Sequence, residues 1–160
     1  MRKRTRAREL ALQVVYQLDL RGDEIRGDFD ELLNATSDDQ DVVTFARELI
    51  DGCWEKRAEI DSKIEGVAKN WELKRMAALD RNILRLATYE LLFRDEIPPL
   101  VTINEAIDIA KKFSTRKSGH FVNGILDQIR MNCAPEAKRK KGGPPPPPEE
   151  PVEDIPLQPT

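Results

Sequence analysis

An all-α fold is predicted for this 160-residue chain, and three observations predict it. Apolar residues recur at intervals of three and four through most of the first 134 positions, the spacing that puts them on one face of a helix. No stretch alternates apolar and polar residues strongly enough to read as a strand. Aromatic residues make up 6% of the chain and charged residues 34%, a balance that suits a small helical domain rather than a β protein.

The elements follow in order. Residues 5–20 read as the first helix, with Ala7, Leu10, Ala11, Val14 and Leu18 on one face and Arg21-Gly22-Asp23 as the turn that ends it. Phe29, Leu32 and Leu33 mark a short second helix. The polar cluster 37–41 supplies caps for a long third helix, on which Phe45, Leu49, Cys53, Ile60, Ile64 and Val67 keep an approximate helical period. Trp71 sits in a connection, and a short helical turn follows around residues 74–78. Asp80 is placed to cap a helix over 81–93, whose stripe is Ile83, Leu86, Ala87 and Leu91. Pro98-Pro99 stops that pattern. Thr102-Ile103-Asn104-Glu105 has the form of a capping box for a helix over 103–113, with Ile103, Ala106, Ile107 and Ala110 as its stripe. A last helix over 119–133 carries Phe121, Ile125, Leu126 and Ile129. Six to seven helices result, one bundle before Asn70 and one after it.

Residues 1–134 suffice for one helical domain with a modest core. Residues 135–160 hold nine of the eleven prolines, five of them consecutive from Pro144 to Pro148, followed by Glu149, Glu150, Glu153 and Asp154. Such a segment buries too little apolar surface to offset its ordering entropy, so it is expected to be a disordered tail, with Lys138 to Lys141 as a flexible basic stretch.

The residues exclude most chemistry. His120 is the only histidine, and Cys53 and Cys133 are the only cysteines, both in apolar-periodic stretches that suit reduced, buried thiols. No metal site and no cofactor are expected, and no Gly-rich phosphate loop follows a strand. Glu90 and Glu105 lie on apolar-patterned helices; the first is expected to accept a hydrogen bond or to pair with an arginine such as Arg85, and the second to cap its helix. The chain reads as a non-enzyme. No apolar run approaches the ~18 residues of a membrane span, so a cytoplasmic protein is expected.

The charge distribution says more than the net charge of −3. Residues 1–8 contain Arg2, Lys3, Arg4, Arg6 and Arg8 and no acid, whereas residues 19–61 are predominantly acidic. Arginine offers a flat fork of donors that suits phosphates and base edges. Arg4 and Arg8 lie one turn apart, Arg6 and Arg8 are both expected on an exposed face, and Tyr16, two turns beyond Arg8, could stack on an unpaired base. A solvated, frayed terminus is the alternative. A second candidate is Thr115 to Phe121, where a helix N-terminus offers amides, Arg116 and Lys117 add charge, and Phe121 either stacks on a base or belongs to the core.

The segments ILRLATYEL, VTINEAIDIAKKFS and FVNGILD, in this order, together with the opening RARELALQVVYQ, resemble the NusB family of transcription antitermination factors over roughly residues 4–133. The resemblance implies an all-helical fold of two packed subbundles and no catalytic activity. It implies RNA binding through Arg4, Arg6, Arg8, Tyr16, Lys117, His120 and Phe121, with single-stranded boxA RNA as the ligand. Thr5 stands where many family members continue the basic run, and His120 where many have a second lysine or an arginine. The resemblance further implies a complex with NusE, a small-subunit ribosomal protein, facing the region of Asp80 and Arg81. Through it the chain would join the elongating RNA polymerase and other Nus factors, notably on ribosomal RNA operons; self-association as a homodimer stays open. Two rivals are a helical protein–protein adaptor and a relative of the RNA-binding front end of ribosomal RNA cytosine methyltransferases, which would call for a Rossmann-like catalytic domain.

Overall fold

The computed structural model describes residues 2–22, 24 and 29–140. Among these residues the elements are α1 (Lys3–Arg21), α2 (Phe29–Thr36), α3 (Gln40–Glu55), α4 (Arg57–Val67), a 3₁₀ turn (Leu73–Arg75), α5 (Ala78–Phe93), α6 (Pro99–Phe113), α7 (Arg116–Cys133) and a short α8 (Glu136–Lys140). The all-α class is confirmed. Helices α1–α3 form one group and α4–α7 the other: α4, expected with the bundle before Asn70, packs mainly on α5 and α7, and α5 also packs against α1, α3 and α6, so one continuous core joins the two groups. Leu18, Leu49, Ile50, Leu84, Leu91, Ile103, Leu126 and Ile129 are fully buried in it.

Gly22 ends α1 as expected, with a left-handed φ of 83° and its N–H donated to the Leu18 carbonyl at 2.9 Å. The cluster 37–41 also caps as expected: Asp39 accepts from the Asp41 amide at 2.9 Å. Elsewhere the helices differ from the sequence expectation. The long third helix is two, α3 and α4, hinged at Lys56, where neither glycine nor proline marks the break. Lys56 closes α3 by donating to the Gly52 carbonyl at 3.0 Å, and its own carbonyl receives the Ile60 amide at 3.0 Å, so little hydrogen bonding is lost at the bend. Gly52 is required by close approach: a Cβ there would overlap the Tyr89 ring of α5.

The capping-box reading is overturned. Pro98 is the N-cap residue and Pro99 begins α6, so Thr102 lies inside the helix. The prolines start the helix rather than only stopping its predecessor, because a ring without an N–H is at no disadvantage in a first turn. Asp80 is likewise no cap. Ala77 holds that place, and Asp80 sits in the first turn of α5, where its charge complements the helix dipole. Helix α7 begins three residues before the expected Gly119, because Thr115 accepts the Ser118 amide at 3.0 Å.

The boundary expected at 134 also moves. Residues 136–140 form α8, and Lys138, expected in a flexible stretch, is buried: its Nζ donates to the carbonyls of Glu90 and Arg94, both at 2.8 Å. These carbonyls lie at the C-terminal end of α5 and already accept the backbone N–H groups of Arg94 and Ile97, so the lysine adds a second, charged donor to each and favours the negative end of the helix. Burial pushes the Lys138 ammonium below its ordinary pKa. The rest of the expected disordered tail lies outside the described residues.

Candidate nucleic-acid interface

The basic N-terminus divides by helix face. Arg2, Lys3, Arg4 and Arg6 are exposed, and the first turn of α1 holds no acid. Lys3 reaches Asp41 at 2.8 Å and Asp39 at 3.3 Å, bringing α1 onto the start of α3. The Arg4 guanidinium lies 4.4 Å from the Phe45 ring centroid, and Arg6 Nη2 donates to the Thr36 carbonyl at 3.3 Å. Both side chains are steered by α2 and α3 yet remain open to solvent.

Arg8 is not on that surface. The residue is 6% exposed and forks onto Glu90 (Nε to Oε2 2.8 Å, Nη2 to Oε1 2.9 Å), while Nη1 reaches Glu105 at 3.2 Å. Thr102 donates to Glu90 at 2.8 Å and Thr5 to Glu105 at 2.7 Å. Burial disfavours the Arg8 charge, but the hydrogen bonds and field of Glu90 and Glu105 outweigh it and raise the pKa. The expected exposure of Arg8 is therefore corrected. A carboxylate buried on α5 needs a paired cation, and Arg8 is that cation. Glu105 is an acceptor in this network rather than a cap, and Glu90 pairs with Arg8 rather than Arg85.

Tyr16 is half-buried and lines a groove between α1 and α2 with Gln13, Val14, Gln17, Arg21, Phe29 and Leu32. With Arg8 turned inward, the expected Arg8–Tyr16 surface does not form.

At the α6–α7 junction, Lys117 and His120 are exposed. Ser114, Thr115 and Ser118 are linked by hydrogen bonds of 2.9–3.2 Å, and Ser118 Oγ donates to Asp80 Oδ2 at 3.2 Å, fixing the start of α7 to α5. Phe121 is in the second turn of α7, half-buried against the core, and meets Trp71 in a T-shaped contact with ring centroids 5.6 Å apart. Trp71 itself is 52% exposed, a feature that the sequence pattern around it does not reveal.

Asp80 and Arg81, expected near an exposed partner-facing region, are joints within the fold. Arg81 Nε donates to Asp19 at 2.7 Å and its Nη1 to the carbonyls of Leu73 and Met76 at 3.3 and 3.1 Å. Arg85 forks onto Asp61 at 2.8 and 3.0 Å. Burial opposes the Asp19 charge, yet hydrogen bonds from Asn82 and Arg81 and the field of Arg85 hold its carboxyl below the ordinary range.

Helix α6 is the spacer between the two basic areas. Thr5 meets it at Glu105, and Glu9 meets Lys112 near its end at 3.0 Å. Eight residues of helix, about 12 Å, separate Glu105 from Phe113 just before α7. An extended ligand suits such a layout better than a compact one. Among the described residues no group of His, Cys, Asp and Glu could hold a metal ion, and no helix is long and apolar enough to cross a membrane. Burial pushes the Cys53 thiol up to about 12, so it is not a nucleophile at neutral pH.

A model of the NusB family matches residues 5–131. The transcription antitermination protein NusB of Anaeromyxobacter sp. (strain Fw109-5) is 45% identical over 138 residues, covering 86% of this chain and 96% of its own. The structure of NusB from T. maritima superposes with a TM-score of 0.75 at 43% identity, covering 86% of this chain and 96% of that one. A chain of the crystal structure of antitermination factors NusB and NusE in complex with dsRNA superposes with a TM-score of 0.72 at 35% identity, covering 81% and 96%.

Proposed function

The chain belongs to the NusB family, which is non-catalytic, and we propose that it is an RNA-binding antitermination factor that recognises boxA RNA together with NusE. In nascent transcripts, notably of ribosomal RNA operons, the complex helps RNA polymerase avoid premature termination, alongside other Nus factors in the cytoplasm. The observation that carries this reading is the exposed basic first turn of α1, with Arg4 and Arg6, and the exposed Lys117 and His120 beside Phe121 at the start of α7, with α6 between the two areas. Support comes from the relative solved with NusE and dsRNA.

The geometry also favours a shared surface. A few cations on a chain of net charge −3 neutralise only a few phosphates, each worth a limited share of a salt-sensitive affinity. A second protein that extends the basic surface adds to that number without requiring a larger domain. Asp80 and Arg81, half-buried joints that hold α5 in place, mark the region proposed to face NusE. Gel-shift titration of boxA RNA tests it: binding should be weak with the protein alone and tighter with NusE. Equal affinity with and without NusE would contradict the shared surface, and no binding in either case would overturn the RNA reading.

A further inference from the structure

Trp71 lies between α4 and the 3₁₀ turn and is 52% exposed, a costly position for so large an apolar ring in water. The indole is not loosely placed. Its backbone N–H donates to the Ala68 carbonyl at 2.9 Å, and Phe121 meets it at an interplanar angle of 72° with centroids 5.6 Å apart. Phe121 thus buttresses the indole and leaves about half of Trp71 open.

Exposed lysines flank the ring pair in the chain. Lys117 precedes Phe121 by one turn of α7 and is exposed, Lys69 is exposed two residues before Trp71, and the first turn of α7 holds no acid. Glu72 is the adjacent acid, and Lys74 lies 3.6 Å from it. A fixed aromatic face beside exposed cations is the combination that binds single-stranded nucleic acid, the ring taking a base and the cations the backbone. An apolar protein segment would gain little from the lysines.

Resting on the RNA reading above, we infer that Trp71 is a further RNA-contacting residue, with its indole face stacking an unpaired base and Lys117 taking a neighbouring phosphate. Phe121 is then the positioning residue behind the stack. This assigns the strand a footing on the connection before α5, outside the segments identified from sequence.

Trp71 and the buried Trp54 are the two tryptophans of the chain, so Trp54→Phe leaves Trp71 as the sole indole reporter. Titrating this full-length variant with a short single-stranded boxA oligoribonucleotide, with and without NusE, should quench its emission along the gel-shift binding curve. Trp71→Leu should weaken RNA binding about ten-fold with an unchanged melting temperature, whereas Trp71→Phe should retain most of the affinity. If RNA binds and Arg6→Ala weakens it while Trp71→Leu does not, the role of Trp71 is overturned and the RNA reading stands. If Trp71→Leu lowers affinity for NusE but not for RNA, the face docks protein and the inference is overturned. If the unaltered protein binds no RNA, both readings fall.

Discussion

Arg6 and Arg8 stand two positions apart, a rotation of about 200° around α1, and that rotation moves a guanidinium from solvent to core. Arg6 is exposed and, among the described residues, is held by one long hydrogen bond to Thr36. Arg8 is shielded between α1, α5 and α6 and saturated by Glu90 and Glu105. The same side chain is therefore a solvent-facing charge in one place and an internal bolt in the other. The contrast extends across the molecule: Arg81 and Arg85 bolt α5 to Asp19 and Asp61, while Arg4 and Lys117 stay open. Arginine-rich sequence thus does not translate directly into binding surface; partners in the fold decide.

The largest test of this contrast is Arg8→Ala. It should destabilise the fold by about 3–5 kcal/mol, because Glu90, only 2% exposed, loses its paired cation. Chemical denaturation measures this, and a destabilisation under about 1 kcal/mol would mean that water or a rearranged lysine neutralises Glu90 with ease. Arg8→Met combined with Glu90→Gln should recover part of the stability.

Gly52→Ala should cost roughly 1–3 kcal/mol, since Tyr89 must leave its place against α3. Gly66→Ala meets no neighbour and serves as the control, with an unchanged or slightly higher melting temperature expected.

Truncation separates the two parts of the C-terminal segment. Ending the chain after Ala134 removes Lys138 from the α5 carbonyls and should cost about 1–2 kcal/mol. Ending it after Lys140 should leave thermal unfolding unchanged. Equal melting temperatures for both truncations would show that the α8 lysine contributes nothing.

A smaller effect concerns acid. The Asp19 pKa is depressed in the folded state by Asn82 and Arg81 against the opposing effect of burial. Its contribution is therefore present above the ordinary carboxylate range and is lost as pH falls through the folded value. Asp19→Asn should flatten the acid limb of a stability–pH curve, measured by urea unfolding. An unaltered limb would show that Asp19 has the same pKa in the unfolded chain.

Helical periodicity located the helices because apolar stripes are local and repeat. Helix beginnings were less legible. Pro98-Pro99 signals a stop and a start equally well, and the hinge at Lys56 leaves no mark because the apolar spacing runs on from Cys53 to Ile60. The Arg8 pairing was in principle readable: Arg8 stands on the side of Ala11, Leu12 and Val15, all buried. Glu90 and Glu105 on apolar-patterned helices call for a cation. Each half was visible locally, but which cation met which acid was a long-range fact, Arg8 and Glu90 standing 82 positions apart. Trp71 was missed because a residue in a connection has no period to report its exposure. Lys138 was missed because composition averages over the segment and cannot show one lysine reaching a helix end.

The claim that the open arginines, and not the buried ones, meet RNA is tested most directly by salt. Binding of boxA RNA by the NusE complex should be measured across a salt series for the unaltered protein and for Arg4→Ala combined with Arg6→Ala. The double variant should show a plot of log affinity against log salt that is shallower by about 0.7 for each phosphate no longer neutralised, roughly 1.4 in all, at an unchanged melting temperature. An identical slope and affinity would contradict the account and place the RNA on another face.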